Sequence, residues 1–382
     1  MLRVAIVGCG KVADQHVAAI QRVPNCQIVA LCDRELLMAK QLGERFRICQ
    51  CFSDLEETLR VGAPQVVHIT TPPQSHFQLT SQCLEFGSHV YLEKPFTVTA
   101  EEAEALIESA EKRGLKITAG HNYQFTLEMM EMRRLVKDGF LGGPPAHLES
   151  YWSYDLGDVS YVGPMVSNPD HWVRQLPGQL FHNLISHGLA KIVEFLDDDV
   201  SEIVATAHQS SQLRQLRAKE VLDELRVLIR DKNGTTAFFC FSTQIKGVNQ
   251  LRIFGPSGSI TADIITGTAV PRRSRAYKSY LTYFIPPLND AREYFRNAAT
   301  SASNFIRKRL YQDFGMKELI ERFYRSIRGE IAVPIPYREI ILVARLMDRI
   351  FEQVYPDGRQ EGFGKGMSSV HSSKAVSRFA PK

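Results

Sequence analysis

The chain has 382 residues, 44% hydrophobic and 23% charged, with a net charge of +4. That length fits two domains better than one, and the composition excludes wholesale disorder. No apolar run approaches the ~18 residues that a membrane-spanning helix needs, and Met1 and Leu2 lead straight into a strand pattern, so the expectation is a cytoplasmic chain without a cleavable signal.

The positive charge is unevenly placed. Residues 271–312 carry nine Lys/Arg against two Asp/Glu, and residues 356–382 carry five against two, which leaves the rest of the chain acidic. Six of the seven cysteines precede residue 84, in apolar contexts that read as small buried side chains in a reducing compartment. Cys49 and Cys51 have no partner pair at zinc-ligand spacing, so no metal is expected.

In chain order, strands over 3–8, 27–33, 65–71, 89–94 and 116–121 alternate with helical patterns. Strands separated by such helices imply βαβ units and a parallel sheet. From residue 146 the rhythm changes. Stretches at 146–154, 201–208, 221–231, 235–243, 249–254 and 258–264 read as strands joined by short turns, with Asn233-Gly234 as a hairpin signal. This predicts a mostly antiparallel sheet. A helical segment is expected over 179–197, a final helix pair over 316–329 and 337–354, and a disordered tail over 356–382.

Gly8-Cys9-Gly10-Lys11-Val12-Ala13 is a G-x-G-x-x-A motif placed between the first strand and the first helix. Gly8 permits a tight turn, Gly10 lets the backbone approach a pyrophosphate, and Ala13 allows close helix–strand packing. Lys11 and Val12 open the helix whose N-terminus attracts phosphate. Asp33 closes the second strand 20 residues after Ala13, where an acid takes ribose hydroxyls. A dinucleotide cofactor on a Rossmann domain follows. A carboxylate at 33 repels a 2′-phosphate, so the reading leans to NAD. Arg34, next to it, can stack on adenine or pair with that phosphate, which leaves NADP open.

Glu93-Lys94-Pro95 resembles the glucose-fructose oxidoreductase / inositol dehydrogenase / MocA family. Thr70-Thr71-Pro72-Pro73 with His76 is similar to that family's cofactor-proximal loop. Ala119-Gly120-His121-Asn122-Tyr123 is similar to its domain junction, and the turn starting at Gly255-Pro256 to a signature of its second domain. The resemblance implies an α/β Rossmann domain (1–122), then an α+β domain with an open-faced, mostly antiparallel sheet (123–355) for substrate binding and homo-oligomerisation. It implies hydride transfer at a carbinol or carbonyl of a sugar, cyclitol or nucleotide-sugar. It places Thr71, Pro72, His76, Glu93 and Lys94 near the cofactor, and Lys94 at the reacting oxygen. The family's Asp-x-x-x-His pattern matches Asn183 and His187, with Asn where Asp is usual. His suits the acid/base role near neutral pH, a Lys ammonium stabilises alkoxide charge, and Asn183 would orient a hydroxyl from the same helix face as His187. His182 competes for the base role. His121, Tyr123 and Trp172 are candidate pocket residues. The alternative is a dinucleotide-binding sensor or scaffold without turnover.

Residues 271–312 depart from that resemblance. Arg272, Arg273, Arg275, Lys278, Arg307, Lys308 and Arg309 are interleaved with aromatics, and a helix is expected from Asp290 to Leu310 with Phe295, Ala298, Ala302, Phe305 and Ile306 on one face. Three readings stand for this insert: a subunit interface or lid, a site for the phosphates of a nucleotide-sugar, and a patch for peripheral contact with an anionic membrane. Nucleic acid is not expected, because the body is acidic and no recognition motif is present.

Overall fold

A computed structural model describes residues 1–155, 162–215, 221–307 and 313–356. The predicted tail, apart from Pro356, lies outside the described residues, as do Lys308, Arg309 and Tyr311 of the insert.

Six strands build the first sheet: β1 (Leu2–Val7), β2 (Cys26–Cys32), β3 (Cys51–Phe52), β4 (Val66–Ile69), β5 (His89–Leu92) and β6 (Ile117–Ala119). All neighbours are parallel, in the spatial order β3-β2-β1-β4-β5-β6. Helices cover both faces of such a sheet, so β4 is buried throughout and β1 at all but Arg3. The crossover helices start at side-chain caps where the sequence supplies them: Asp54 accepts from the Glu57 N–H and Thr99 from the Glu102 N–H.

The second sheet has seven strands: β7 (His147–Ser153), β8 (Val200–His208), β9 (Glu224–Asp231), β10 (Thr236–Ser242), β11 (Asn249–Gly255), β12 (Gly258–Asp263) and β13 (Thr268–Arg273). Its order is β13-β12-β11-β7-β10-β9-β8. Every pairing is antiparallel except β7 with β10 at the centre. Along β7 burial alternates, so Leu148, Ser150 and Trp152 face inward. The predicted mixed architecture is therefore found. Two strands escape the sequence reading: β3 is only two residues long, and β13 lies inside the segment taken as insert.

Two further corrections concern helices. The predicted helical stretch 179–197 is two short helices, Gln179–Leu184 and Ser186–Val193, so Asn183 and His187 do not share one uninterrupted helix. The insert helix runs over Leu281–Ile306, starting nine residues before the expected Asp290. Pro286 and Pro287 fall inside it. They stand within its second turn, where the carbonyls they leave unbonded face water on an exposed helix. None of its residues is buried. Asn297 ties its polar side to β13 through Ala269, and Phe284, Leu288, Phe295, Phe305 and Ile306 face outward.

The last two helices weld the units together. Phe314–Ile327 buries Met316, Leu319, Ile320, Phe323 and Tyr324 in the core of the parallel sheet. Tyr337–Val354 puts Ile340 into that core, and Leu342, Val343, Leu346, Met347, Ile350 and Phe351 into the core under the second sheet. Its Asp348 accepts the Ala100 N–H at the start of helix Ala100–Lys112.

Phe323 is fully buried, with its ring edge-on to Tyr91 of β5. Phe323→Ala should cost about 3–5 kcal/mol by leaving a cavity under the parallel sheet. The check is the urea midpoint of the variant, and a loss below about 1 kcal/mol would mean that the helix does not complete this core.

Candidate active site

The glycine loop follows directly on β1. Gly8 has φ +94, and a Cβ there would lie 2.7 Å from the Thr71 Cγ2, so only glycine fits against the loop after β4. A Cβ on Gly10 would meet no protein atom within 4 Å. Gly10 caps helix Lys11–Ile20 and so fronts open space at a helix N-terminus, the positive end of the helix dipole. This cradle fits a pyrophosphate. Asp33 holds its rim: Oδ2 accepts the Cys9 N–H at 2.7 Å and Oδ1 the Glu35 N–H at 2.9 Å. Ala13 is fully buried against the strand, and Arg34 is exposed beside Asp33.

Thr71 and Pro72 edge the loop after β4. His76 lies under that loop, wholly buried: Nε2 is 2.8 Å from the Thr71 carbonyl, and Nδ1 is 3.1 Å from the carbonyls of Pro95 and Phe96. It joins the loop after β4 to the Glu93-Lys94-Pro95 turn after β5, whose Lys94–Pro95 peptide is cis. Burial lowers the His76 pKa, against the pull of the Thr71 and Phe96 carbonyls.

A cleft of about 240 Å3 opens where these loops face the second unit. It is lined by Lys11, Val12 and Gln15 of the first helix, Glu93 and Lys94, Asn122 and Tyr123, Trp152 and Tyr154 at the end of β7, and Leu184 and His187, with Asp313 and Met316 behind. Of the predicted residues it gathers Lys11, Val12, Glu93, Lys94, Tyr123 and His187. The Lys94 ammonium donates to the backbone carbonyl of Asn183 at 3.2 Å. His187 is buried, with Tyr123 edge-on at 4.7 Å and Trp152 tilted at 5.4 Å, and its Nδ1 is buried without a hydrogen-bond partner among the described residues. Burial, then the charges of Lys94, His121 and Lys191, press its pKa well below 6.5, so it is a neutral base at physiological pH. Lys191 lies beneath Trp152, 5.1 Å from the ring, donating to Asn249 Oδ1 at 2.7 Å; burial brings its pKa down to about 7, opposed by Glu128 and Asp263.

Other predicted residues lie elsewhere. The Asn183 side chain is buried and donates to the Met165 sulfur at 3.6 Å, so the backbone of Asn183, and not its amide, meets Lys94. His182 stacks on Phe351 at 5.1 Å, away from the cleft. His121 is buried behind it, 6.4 Å from the His187 ring. Trp172 sits on a short 3-10 turn, and its carbonyl accepts from Gln74 across the two units. No described residue of the basic insert lines the cleft: Arg272 pairs with Asp290, and Arg273 covers the Phe140 ring. The sequence reading missed Gln15, Asn122, Trp152, Tyr154, Leu184, Asp313 and Met316 as cleft residues. The alternation along β7 does place Trp152 and Tyr154 on one face, but nothing local marks the others.

Residues 2–121 match the GFO_IDH_MocA oxidoreductase family with an NAD-binding Rossmann fold, and residues 129–261 match the GFO/IDH/MocA C-terminal domain. The chain belongs to this family of NAD-binding oxidoreductases. It is 34% identical over 142 residues to the D-glucoside 3-dehydrogenase of Escherichia coli (strain K12), a match spanning 37% of this chain and 40% of that relative. A solved UDP-N-acetylglucosamine 3-dehydrogenase from Acidithiobacillus ferrooxidans superposes with a TM-score of 0.70 at 18% identity, covering 93% of this chain and 98% of the other. The WlbA dehydrogenase from Bordetella pertussis, in complex with NADH and UDP-GlcNAcA, gives 0.72 at 15% identity, covering 93% and 96%. Among the described residues no helix is long and apolar enough to cross a membrane.

Burial brings the His121 and His182 pKa values to about 4, from 6.5. Between those values the unfolded chain binds more protons than the folded one, so stability rises with pH there, is complete above 6.5 and is lost as pH falls toward 4. The urea midpoint should therefore drop steadily from pH 7 to pH 4.5. His182→Asn should flatten that slope, and an unchanged slope would sink the assignment.

Proposed function

We propose that the protein is an NAD-dependent dehydrogenase or reductase acting on a carbinol or carbonyl carbon of a sugar, cyclitol or nucleotide-sugar, with Lys94 and His187 as its catalytic residues. The observation that carries this reading is that both line one cleft that starts at the helix of the glycine loop. The loop from Gly8 to Ala13 and Asp33 would hold the dinucleotide, with Asp33 favouring NAD. When bound, the cofactor supplies a nicotinamide that accepts or returns hydride. Lys94 is held by the Asn183 carbonyl and presents an ammonium to the substrate oxygen, where it stabilises negative charge. His187, neutral and lining the cleft, takes the hydroxyl proton in oxidation and returns it in reduction. Tyr123 and Trp152 hold the imidazole in place and give the sugar ring an apolar wall.

The substrate class is supported by relatives and structural neighbours named for glucosides and UDP-sugars. The reading takes residues 1–122 as the cofactor domain and 123–355 as the substrate domain, in a cytoplasmic homo-oligomer. A dinucleotide-binding sensor would need no base, so the paired Lys94 and His187 favour an enzyme.

The test is nicotinamide absorbance with NAD and NADP against a panel of sugars, cyclitols and nucleotide-sugars. Lys94→Ala and His187→Ala should each lower kcat/KM by about 10²–10⁴ on the active class. The limb that reports His187 should lie below pH 6.5, because its neutral form persists there. Cofactor binding without turnover on any class would favour the sensor.

A further inference from the structure

Behind the cleft, four side chains from four separate elements form one buried file. Glu93 Oε1 lies 2.9 Å from His16 Nε2, His16 Nδ1 lies 2.9 Å from His68 Nδ1, and His68 Nε2 lies 2.8 Å from the Tyr324 hydroxyl. His16 belongs to the helix of the glycine loop, His68 to β4, Glu93 to the turn after β5 and Tyr324 to helix Phe314–Ile327. The two histidines and Tyr324 are fully buried, and Glu93 is 7% exposed. Tyr91 stacks flat on His68 at 4.6 Å and closes the file from the side.

Counting donors and acceptors fixes the direction of the protons. The Tyr324 hydroxyl makes no other hydrogen bond among the described residues, so its single proton goes to His68 Nε2. A neutral His68 then carries its proton on Nδ1 and donates it to His16 Nδ1. A neutral His16 carries its proton on Nε2 and donates to Glu93. Every polar atom of the file is satisfied, and every donor points toward the carboxylate. The opposite direction requires an uncharged Glu93 or a buried imidazolium, and leaves the Tyr324 proton without an acceptor. Glu93 Oε2 meanwhile accepts the backbone N–H of Lys94 at 3.0 Å.

We propose that the Tyr324–His68–His16 file is a positioning device for the reaction centre: it aims three donors in series at Glu93, holds that carboxylate in place, and thereby sets the position of the Lys94 backbone that Glu93 accepts from. The proposal rests on Lys94 being the cation at the reacting oxygen. Glu93 is faced by His16 from the first helix, Lys94 in its own turn, Tyr91 from β5, His121 after β6 and His76 from the helix after β4. Of these, Lys94 and the His16 N–H stabilise the carboxylate. Burial pushes the Glu93 carboxyl up, and these partners bring it below the usual range. Tyr324, His68 and His16 do not line the cleft. They act through Glu93.

Two experiments on the full-length protein test this. In ¹⁵N-histidine-labelled protein, NMR at a pH where both rings are neutral should report His16 as the Nε2–H tautomer and His68 as the Nδ1–H tautomer. The opposite tautomer at either position overturns the proposal without any need for turnover. In kinetics on the active substrate class, His16→Leu should raise the pKa of Glu93 until it replaces His187 as the group that limits the acid side of kcat/KM, moving that side up by about one pH unit, a tenfold loss there. It should lower kcat more than it raises KM. His16→Gln keeps an N–H aimed at Glu93 and should restore the profile, and Tyr324→Phe should shift it in the same direction by less. An unmoved pH profile with a loss confined to stability or KM reduces the file to a structural element and overturns the proposal. Full activity in Lys94→Ala would defeat the catalytic reading of Lys94 instead, with the histidine forms unaffected.

Discussion

Everything around the cleft depends on one buried carboxylate. Glu93 stands at the end of β5, accepts the Lys94 N–H on one oxygen and the His16 ring on the other, and lies so close to Gly120 that a Cβ there would come within 2.7 Å of it. A buried charge is tolerated only when it is paired and hydrogen-bonded. Meeting that condition draws in the cofactor helix, the ends of two strands and a helix from the far end of the described chain. Lys94 is therefore held through the hydrogen bond its backbone N–H gives to its neighbour. The glycine at 120, inconspicuous in sequence, is there to leave room for that neighbour.

Much of the architecture is legible because it is written in short-range patterns. The βαβ rhythm and the glycine motif locate the parallel sheet and its phosphate cradle. The hairpin signals locate most of the second sheet. The pair Lys94 and His187 is legible through resemblance, and the structure brings both to one cleft. What was not legible depends on long-range packing. His76 resembles a cofactor-loop residue, yet it is a buried strut between two turns. Asn183 was read by its amide, while its carbonyl makes the contact with Lys94. The file from Tyr324 to Glu93 spans 231 residues of chain in its end-to-end reach and has no local signature.

The insert carries the opposite lesson. Its apolar spacing was legible, but spacing alone does not say which way the face turns. The helix Leu281–Ile306 holds its polar side to β13 and turns Phe295 and Ile306, each 78% exposed, to the outside. Its described arginines are partly spent at home: Arg272 on Asp290, and Arg296 on Glu131 and Glu293. Amphipathic spacing gives the width of an apolar stripe, and tertiary structure decides which way it faces.

The placement of Phe323 and Tyr324 has a consequence for biosynthesis. The parallel sheet is made from the first 120 or so residues, but its core is completed by side chains roughly 200 residues further on. At about 5–20 residues per second, the ribosome needs on the order of 10–40 s to cover that distance. For that interval the cofactor-binding unit exists as a nascent sheet with the apolar seat of Phe323 and the polar end of His68 uncovered. The protein is born in the reverse of its functional order: the part that recognises the dinucleotide is made first and finished last.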